Sequence, residues 1–82
     1  MIDELKFWRT KSGNEVDFVV EGQKLIPVEV KYQDMKSPVI PSGIRSFVEL
    51  YDSENAFVIT KNFLHKIRRG KTHLYFIPAF IL

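Results

Sequence analysis

The fold of this chain is decided by residues 15–31, which read EVDFVVEGQKLIPVEVK. β-Branched and aromatic residues alternate with charged ones on both sides of Gly22, and this pattern is typical of strands. We therefore predict one strand over residues 15–21 and a second over residues 25–32, joined by a turn at residues 22–24. Because successive side chains of a strand point to opposite faces, the charged and the apolar residues separate onto two faces.

The apolar residues indicate the register of this predicted hairpin. A three-residue turn places the apolar residues of the two strands opposite one another, in the pairs Val16–Val30, Phe18–Val28 and Val20–Ile26. The same register sets Asp17 opposite Glu29, and Glu15 opposite Lys31. A two-residue turn would mix charge and hydrocarbon on both faces, so burial favours the three-residue turn.

Two carboxylates then meet on one face of the hairpin. Directly opposed residues of an antiparallel pair lie roughly 5 Å apart between Cβ atoms. Asp17 and Glu29 would repel at that distance unless a proton or a cation lay between them. Carboxylates suit a hard divalent cation. Together with Lys31 beside them, they are the residue types that a metal-dependent phosphodiesterase uses in its active site. The alternative is an ordinary solvated hairpin face, on which Glu and Lys are common.

The rest of the chain supplies the other elements of a small domain. Residues 5–10 read as a strand that places Trp8 across from Asp17, and residues 33–41, with two prolines and no period, read as a loop. Ser42 is a candidate N-cap for a helix that ends near Asp52. Its apolar residues at helical spacing are Ile44, Phe47, Val48 and Tyr51, and we expect this stripe to pack on the apolar face of the hairpin.

Two further strands, over residues 56–60 and 73–77, complete the prediction. The fold class is α+β, with a mixed sheet of about five strands in the order β-β-β-α-β-β and one main helix packed on it. A length of 82 residues fits a single domain, residues 1–82.

Composition excludes several classes of protein. The chain has no cysteine, which excludes disulfides, thiolate zinc sites and cysteine catalysis. No apolar run is long enough for a membrane span and the N-terminus does not resemble a signal peptide, so we expect a cytoplasmic protein without a membrane partner. The net charge of +2 is too small to establish a nucleic-acid partner.

Two segments indicate contacts with partners. Residues 61–72 contain a basic run that is the best candidate for contacts with a phosphate backbone, through Lys66, Arg68, Arg69 and Lys71. The alternative is a solvated loop. Residues 76–82 are apolar and uncharged, so this segment either folds back onto the core or meets a second subunit, as in a homodimer, or another domain.

The residues already described resemble a known family. Asp17, followed on the next strand by Glu29-Val30-Lys31, resembles the PD-(D/E)xK motif of the restriction-endonuclease-like superfamily. More closely, residues 7–9, 13–19 and 26–31 resemble the nuclease-like C-terminal domain of prokaryotic AAA-superfamily ATPases. The resemblance implies that residues 1–82 are a nuclease-like domain and a fragment of a larger ATPase, which makes the ATPase domain of a parent chain a second candidate partner.

The resemblance also implies roles for individual residues. Asp17 and Glu29 would ligate Mg²⁺ or Mn²⁺, and the carbonyl of Val30 would add a ligand. Lys31 would orient the attacking water or stabilise charge on the phosphate, and Glu15 would be a further ligand or would hold Lys31. The implied function is hydrolysis of DNA phosphodiesters by a divalent-metal-dependent nuclease-like domain. Two alternatives stay open: an inactive interaction domain of an AAA-type ATPase, and a non-catalytic nucleic-acid-binding module.

Overall fold

The computed structural model describes residues 4–11, 13–21 and 24–81, and it has the predicted α+β class. The elements in chain order are β1 (Glu4–Arg9), β2 (Glu15–Glu21), β3 (Ile26–Lys31), α1 (Ser42–Tyr51), β4 (Asn55–Thr60), β5 (His65–Arg69), β6 (Thr72–Pro78) and a 3₁₀ turn (Ala79–Ile81). Residues Gly22 and Gln23 of the predicted turn lie outside the described residues.

The sheet has six strands in the order β1-β2-β3-β4-β6-β5. Strands β1, β2 and β3 are antiparallel neighbours, β3, β4 and β6 are parallel neighbours, and β5 returns antiparallel along the edge of β6. Strand β5 was not predicted, and it lies within the basic run of residues 61–72. Only Ile67 is apolar in this strand, so an edge strand with charged residues on both faces gave no alternating hydrophobic pattern.

The predicted register of the hairpin is confirmed over half of its length. Phe18 pairs with Val28, and Val20 pairs with Ile26. The further pairs that we predicted toward Glu15 are absent from the ladder, because β2 carries a β-bulge at this point. Between the pairs Lys6–Val19 and Trp8–Val16, two residues of β2 stand opposite Phe7 alone. A bulge bends its strand and interrupts pairing, and Lys31 pairs with Thr60 of β4 instead of with Glu15.

The helix packs on the face opposite to the one that we predicted. Pro27 and Glu29 of β3 are buried on the α1 side, whereas Phe18 and Val30, on the other side, are 43% and 41% exposed. The reason lies in topology: α1 connects two parallel neighbours, β3 and β4, and such crossovers are almost always right-handed. That rule leaves one face for the helix, which the hairpin pattern alone could not show.

The core lies between α1 and this inner face of the sheet. Ile44 and Phe47 from the helix are buried, and so are Val58, Leu74 and Phe76 from the parallel strands. The bulge places both Val16 and Val19 on the inner face, and both are buried. Ile44 and Phe47 therefore belong to the core as predicted, although they meet a different surface.

The position of Trp8 also differs from the prediction. Trp8 pairs with Val16, not with Asp17. Its ring lies edge-on against Phe47, with 5.2 Å between ring centroids, and its indole N–H donates to the Tyr51 hydroxyl at 3.3 Å. Trp8 is thus a packing residue that covers one end of α1.

The ends of α1 are defined by residues other than Ser42. Pro41 occupies the N-cap position, no side chain caps the helix there, and Ser42 is the first helical residue. Asp52 ends the helix in the left-handed conformation at φ 57°, and its N–H donates to the Val48 carbonyl. In the part of the chain that the structure describes, no helix is both long and apolar enough to cross a membrane.

Candidate functional site

The two predicted carboxylates meet where β2 and β3 separate. The backbone N–H of Asp17 donates to Glu29 Oε1 at 3.2 Å, and the backbone N–H of Val30 donates to Asp17 Oδ2 at 2.8 Å. Each carboxylate therefore replaces a ladder hydrogen bond that the bulge has removed. This reciprocal arrangement, which we call the carboxylate clamp, joins β2 to β3 and leaves Asp17 Oδ1 and Glu29 Oε2 outside these backbone contacts.

Glu29 is the buried member of the clamp, with 8% of its surface exposed. Burial, and next the negative charge of Asp17, raise the pKa of Glu29 above its ordinary value. The hydrogen bond from the Asp17 N–H and the charge of Lys31 act in the opposite direction. Lys31 Nζ lies 3.8 Å from Glu29 Oε2, and the Lys31 side chain is 44% exposed. A carboxylate with a raised pKa beside a second carboxylate is a site that a cation would stabilise.

Glu15 does not join the clamp. Arg9, its partner on β1, lies with Nη2 3.2 Å from Glu15 Oε2, and Arg9 Nε donates to the same oxygen. This role of Arg9 was not predicted, although the sequence contains the signal for it: opposite charges at residues 9 and 15, which pair across the short β1–β2 connection. Across the described residues, no group of three or more Asp, Glu, His or Cys side chains is arranged to hold a metal ion.

The raised pKa of Glu29 predicts how the clamp affects stability. The folded protein holds the Glu29 proton more tightly than the unfolded chain, so this residue contributes most favourably below its unfolded pKa and the contribution is lost as pH rises through the folded pKa. At about pH 7 we expect Glu29→Gln to raise the free energy of unfolding by about 0.5 to 1 kcal/mol. The value is small because solvent screens the charges at this site. Urea denaturation of both proteins measures this difference.

The same comparison at low pH is the control. Below the ordinary pKa of a glutamate, at about pH 4 or lower, wild type and Glu29→Gln are expected to converge in stability because both side chains are then neutral. A variant that is less stable than wild type at neutral pH would contradict the prediction and would make the ionised carboxylate a structural stabiliser.

The four basic residues proposed for phosphate contacts do not share one face. Lys66 pairs with Tyr75 and Arg68 with His73, which places both on the outer face of the sheet, away from α1. Arg69 lies on the inner side, with Nη2 3.3 Å from Glu49 Oε1, and Lys71 donates to Asp52. The last two therefore line a cleft of about 310 Å³ beside the C-terminal end of α1, with acidic partners. This cleft contains none of the clamp residues.

Comparison with known proteins gives one family. Residues 2–80 match the model of the family described as DUF4143, a domain of unknown function. No curated protein and no solved structure matches the chain. The description names no activity, so membership in the nuclease superfamily stays a prediction. Because the match extends over nearly the whole chain, this protein belongs to the DUF4143 family of domains.

Proposed function

We propose that this domain hydrolyses DNA phosphodiester bonds with the help of a divalent cation. The observation that supports the proposal is the carboxylate clamp, in which backbone N–H groups hold Asp17 and Glu29. Lys31 Nζ lies 3.8 Å from Glu29 Oε2. A buried glutamate next to a second carboxylate is unfavourable for the free protein. Such groups are concentrated at functional sites, where a ligand relieves the cost.

The donor atoms of the clamp suit Mg²⁺ or Mn²⁺. Mg²⁺ in proteins is commonly held by one or two carboxylates, with water and substrate phosphate as the remaining ligands. Asp17 and Glu29 provide the carboxylates, and the carbonyl of Val30 is a candidate third oxygen. When bound, the cation would polarise the phosphoryl oxygen and lower the pKa of a water ligand. Glu15 would serve as a further ligand only after leaving Arg9.

Lys31 has a role that does not depend on holding the cation. Its side chain is partly exposed, and its ammonium group has Glu29 as its partner. From that position it would donate to a phosphate oxygen and stabilise the negative charge that develops there. The ion pair with Glu29 keeps the Lys31 side chain beside the clamp before the substrate arrives.

A second candidate function is that of a catalytically inactive interaction domain of an AAA-type ATPase. The same contacts favour it, because the carboxylates complete the hydrogen bonding at the bulge and Lys31 is paired with Glu29. In this case the clamp joins two strands and binds no cation. Binding of a divalent cation therefore distinguishes the hydrolase from the interaction domain.

Cation binding is tested by titrating Mg²⁺ and Mn²⁺ while amide resonances are followed by NMR. We expect millimolar Mg²⁺ to shift the amides of Asp17, Val30 and Lys31, and Mn²⁺ to broaden them. Asp17→Asn should abolish both effects while keeping the acceptor for the Val30 N–H. Asp34→Asn, a change in the exposed loop after β3, is the control and should leave the effects intact. Absence of shifts in the wild type would contradict the proposed hydrolase and favour the interaction domain.

Hydrolysis is tested with labelled duplex and single-stranded DNA in the presence of Mn²⁺. We expect Lys31→Ala to lower the cleavage rate by roughly 100-fold or more, the typical loss on removing one charge-stabilising donor, while the Mn²⁺-induced broadening persists. The control is Lys36→Ala, an exposed lysine in the following loop, with an unchanged rate. DNA binding in EDTA without any cleavage in Mn²⁺ would favour a non-catalytic nucleic-acid-binding module instead.

A further inference from the structure

The outer face of the sheet, which α1 does not cover, is apolar across four strands. Two rows of paired residues cross it. One row contains Phe18, Val28, Phe57 and Tyr75. The second row contains Val30, Ile59 and Ile77. Phe57 and Tyr75 stack with 5.1 Å between their ring centroids. We call these two rows the outer apolar face.

The sequence of the parallel strands indicates that this face is covered in the working protein. Residues 56–59 and 74–77 are continuous apolar runs without alternation. Parallel sheets with such strands are buried on both faces, and helices usually form the cover. In the described residues α1 packs on the inner face, and on the outer face Phe18 and Val30 remain 43% and 41% exposed. A contiguous apolar surface of this kind marks a site of protein association.

The charge along one border of the face specifies its occupant further. Lys66 and Arg68 of β5 stand on the outer side, where Lys66 Nζ lies 5.4 Å from the centroid of the Tyr75 ring and Arg68 Nε donates to the Gly70 carbonyl. Neither pairs with a carboxylate among the described residues. Arg69 and Lys71, on the inner side, both have acidic partners. Within the part of the chain that the structure describes, Lys66 and Arg68 at the outer border therefore have no negative charge beside them, and a partner can supply it.

From these observations we infer that the outer apolar face is a docking site for an amphipathic helix that carries acidic residues along one flank. The two rows lie two residues apart along each strand, which separates them by roughly 7 Å, and the four strands that they cross span roughly 14 Å. A helix of about 8 to 12 residues is roughly 12 to 18 Å long and covers both rows. Its apolar residues at i, i+3, i+4 and i+7 would lie on the two rows, and its acidic flank would follow β5.

Two other occupants fit these observations less well. A second copy of the chain presents the same two basic residues, and Glu15 of β2 is already held by Arg9. Single-stranded nucleic acid would match the charge of β5. It would leave the aliphatic residues Val28, Val30 and Ile59 without apolar contacts, since bases stack on aromatic rings.

The inference is tested by selecting binders to the whole chain from a display library of random 15-residue peptides. We expect the selected peptides to share the i, i+3, i+4, i+7 apolar spacing and to be enriched in Asp and Glu beside it. Binding of a selected peptide, measured by fluorescence anisotropy, should weaken at least tenfold in Val30→Asp. The double variant Lys66→Glu, Arg68→Glu should weaken binding at least fivefold. A peptide with lysines in place of its acidic residues should restore binding to this double variant.

The control variant is Leu50→Asp, which places the same charge on an exposed residue of α1 and should leave binding unchanged. Phe18→Asp replaces Val30→Asp if circular dichroism shows that the latter is unfolded. Three results would overturn the inference: selected peptides without apolar periodicity, binding that is insensitive to the outer-face variants, and a dimer by sedimentation that Val30→Asp converts to a monomer. The measured quantity is peptide binding without added cation or DNA, so the outcome does not depend on the proposed hydrolysis.

Discussion

Replacing Gly43 with alanine is expected to destabilise the domain by about 3 kcal/mol or more, the upper end for a substitution that overfills a packed interior. A Cβ atom at this position would lie 1.9 Å from the carbonyl oxygen of Glu15 and 2.8 Å from its carbonyl carbon. Both atoms belong to the backbone of β2, so no side-chain rotation relieves the overlap. The first turn of α1 would have to move away from the sheet.

The expected loss is large relative to the stability of the domain. A chain of 82 residues has a free energy of unfolding of about 4 to 12 kcal/mol. Chemical denaturation of Gly43→Ala should therefore show a much lower midpoint or a fully unfolded protein. The contact also bears on the site, because Glu15 lies two residues before Asp17. A folded Gly43→Ala protein should show changed amide shifts at Asp17 and Val30.

Two controls isolate the close approach. Ser42→Ala changes the exposed residue next to Gly43. The wild-type helix has no side-chain capping bond, so the effect on stability should stay within about 0.5 kcal/mol. A Cβ atom at Gly13 would have no atom within 4 Å, but the backbone φ there is 94°. Gly13→Ala should therefore lower the free energy of unfolding by about 1 to 3 kcal/mol through backbone strain alone. Equal stability of Gly43→Ala and Ser42→Ala would show that α1 and β2 do not approach as closely as described.

Replacing Phe47 with alanine is expected to cost about 3 to 5 kcal/mol, the usual range for truncating a buried phenylalanine. Phe47 is 1% exposed and belongs to the core between α1 and the sheet. Its ring contacts Trp8 edge-on at 5.2 Å and Tyr51 at 4.6 Å between centroids. The variant would leave a cavity and would remove both aromatic contacts.

Thermal and urea denaturation, together with the fluorescence of the single tryptophan, measure this loss. The emission of Trp8 should shift toward that of a solvated indole, because the Phe47 ring no longer covers it. Leu50→Ala is the matched control on the same helix, where Leu50 is 64% exposed, and its cost should stay within about 0.5 kcal/mol. Comparable costs for the two variants would contradict the assignment of Phe47 to the core.

The local elements were predictable because local patterns encode them. Strand β2 has the predicted bounds, and α1 ends one residue earlier than predicted. The hydrophobic spacing of Ile44 and Phe47 identified the buried stripe of the helix. Strand β5 escaped prediction because an edge strand needs no apolar face, and its five residues include a single aliphatic side chain.

The site was predictable in its members and not in its geometry. The sequence placed Asp17 near Glu29, and the structure brings them together, although through backbone hydrogen bonds instead of a direct ladder pair. The cause is the bulge opposite Phe7, which depends on how β1 and β2 fit together. Glu15 left the predicted site because Arg9, on the neighbouring strand, offers it an opposite charge.

The sequence by itself determined the α+β class, the bounds of most elements, the half of the hairpin register that burial selects, and the proximity of two carboxylates. Those properties follow from alternation along a strand and periodicity along a helix, which are local. Only the tertiary structure decided that α1 covers the face with Glu29, that the basic residues divide between two faces, and that α1 leaves the outer apolar face uncovered. These outcomes depend on the parallel β3–α1–β4 crossover and on the bulge, which arise from contacts between segments distant in the chain.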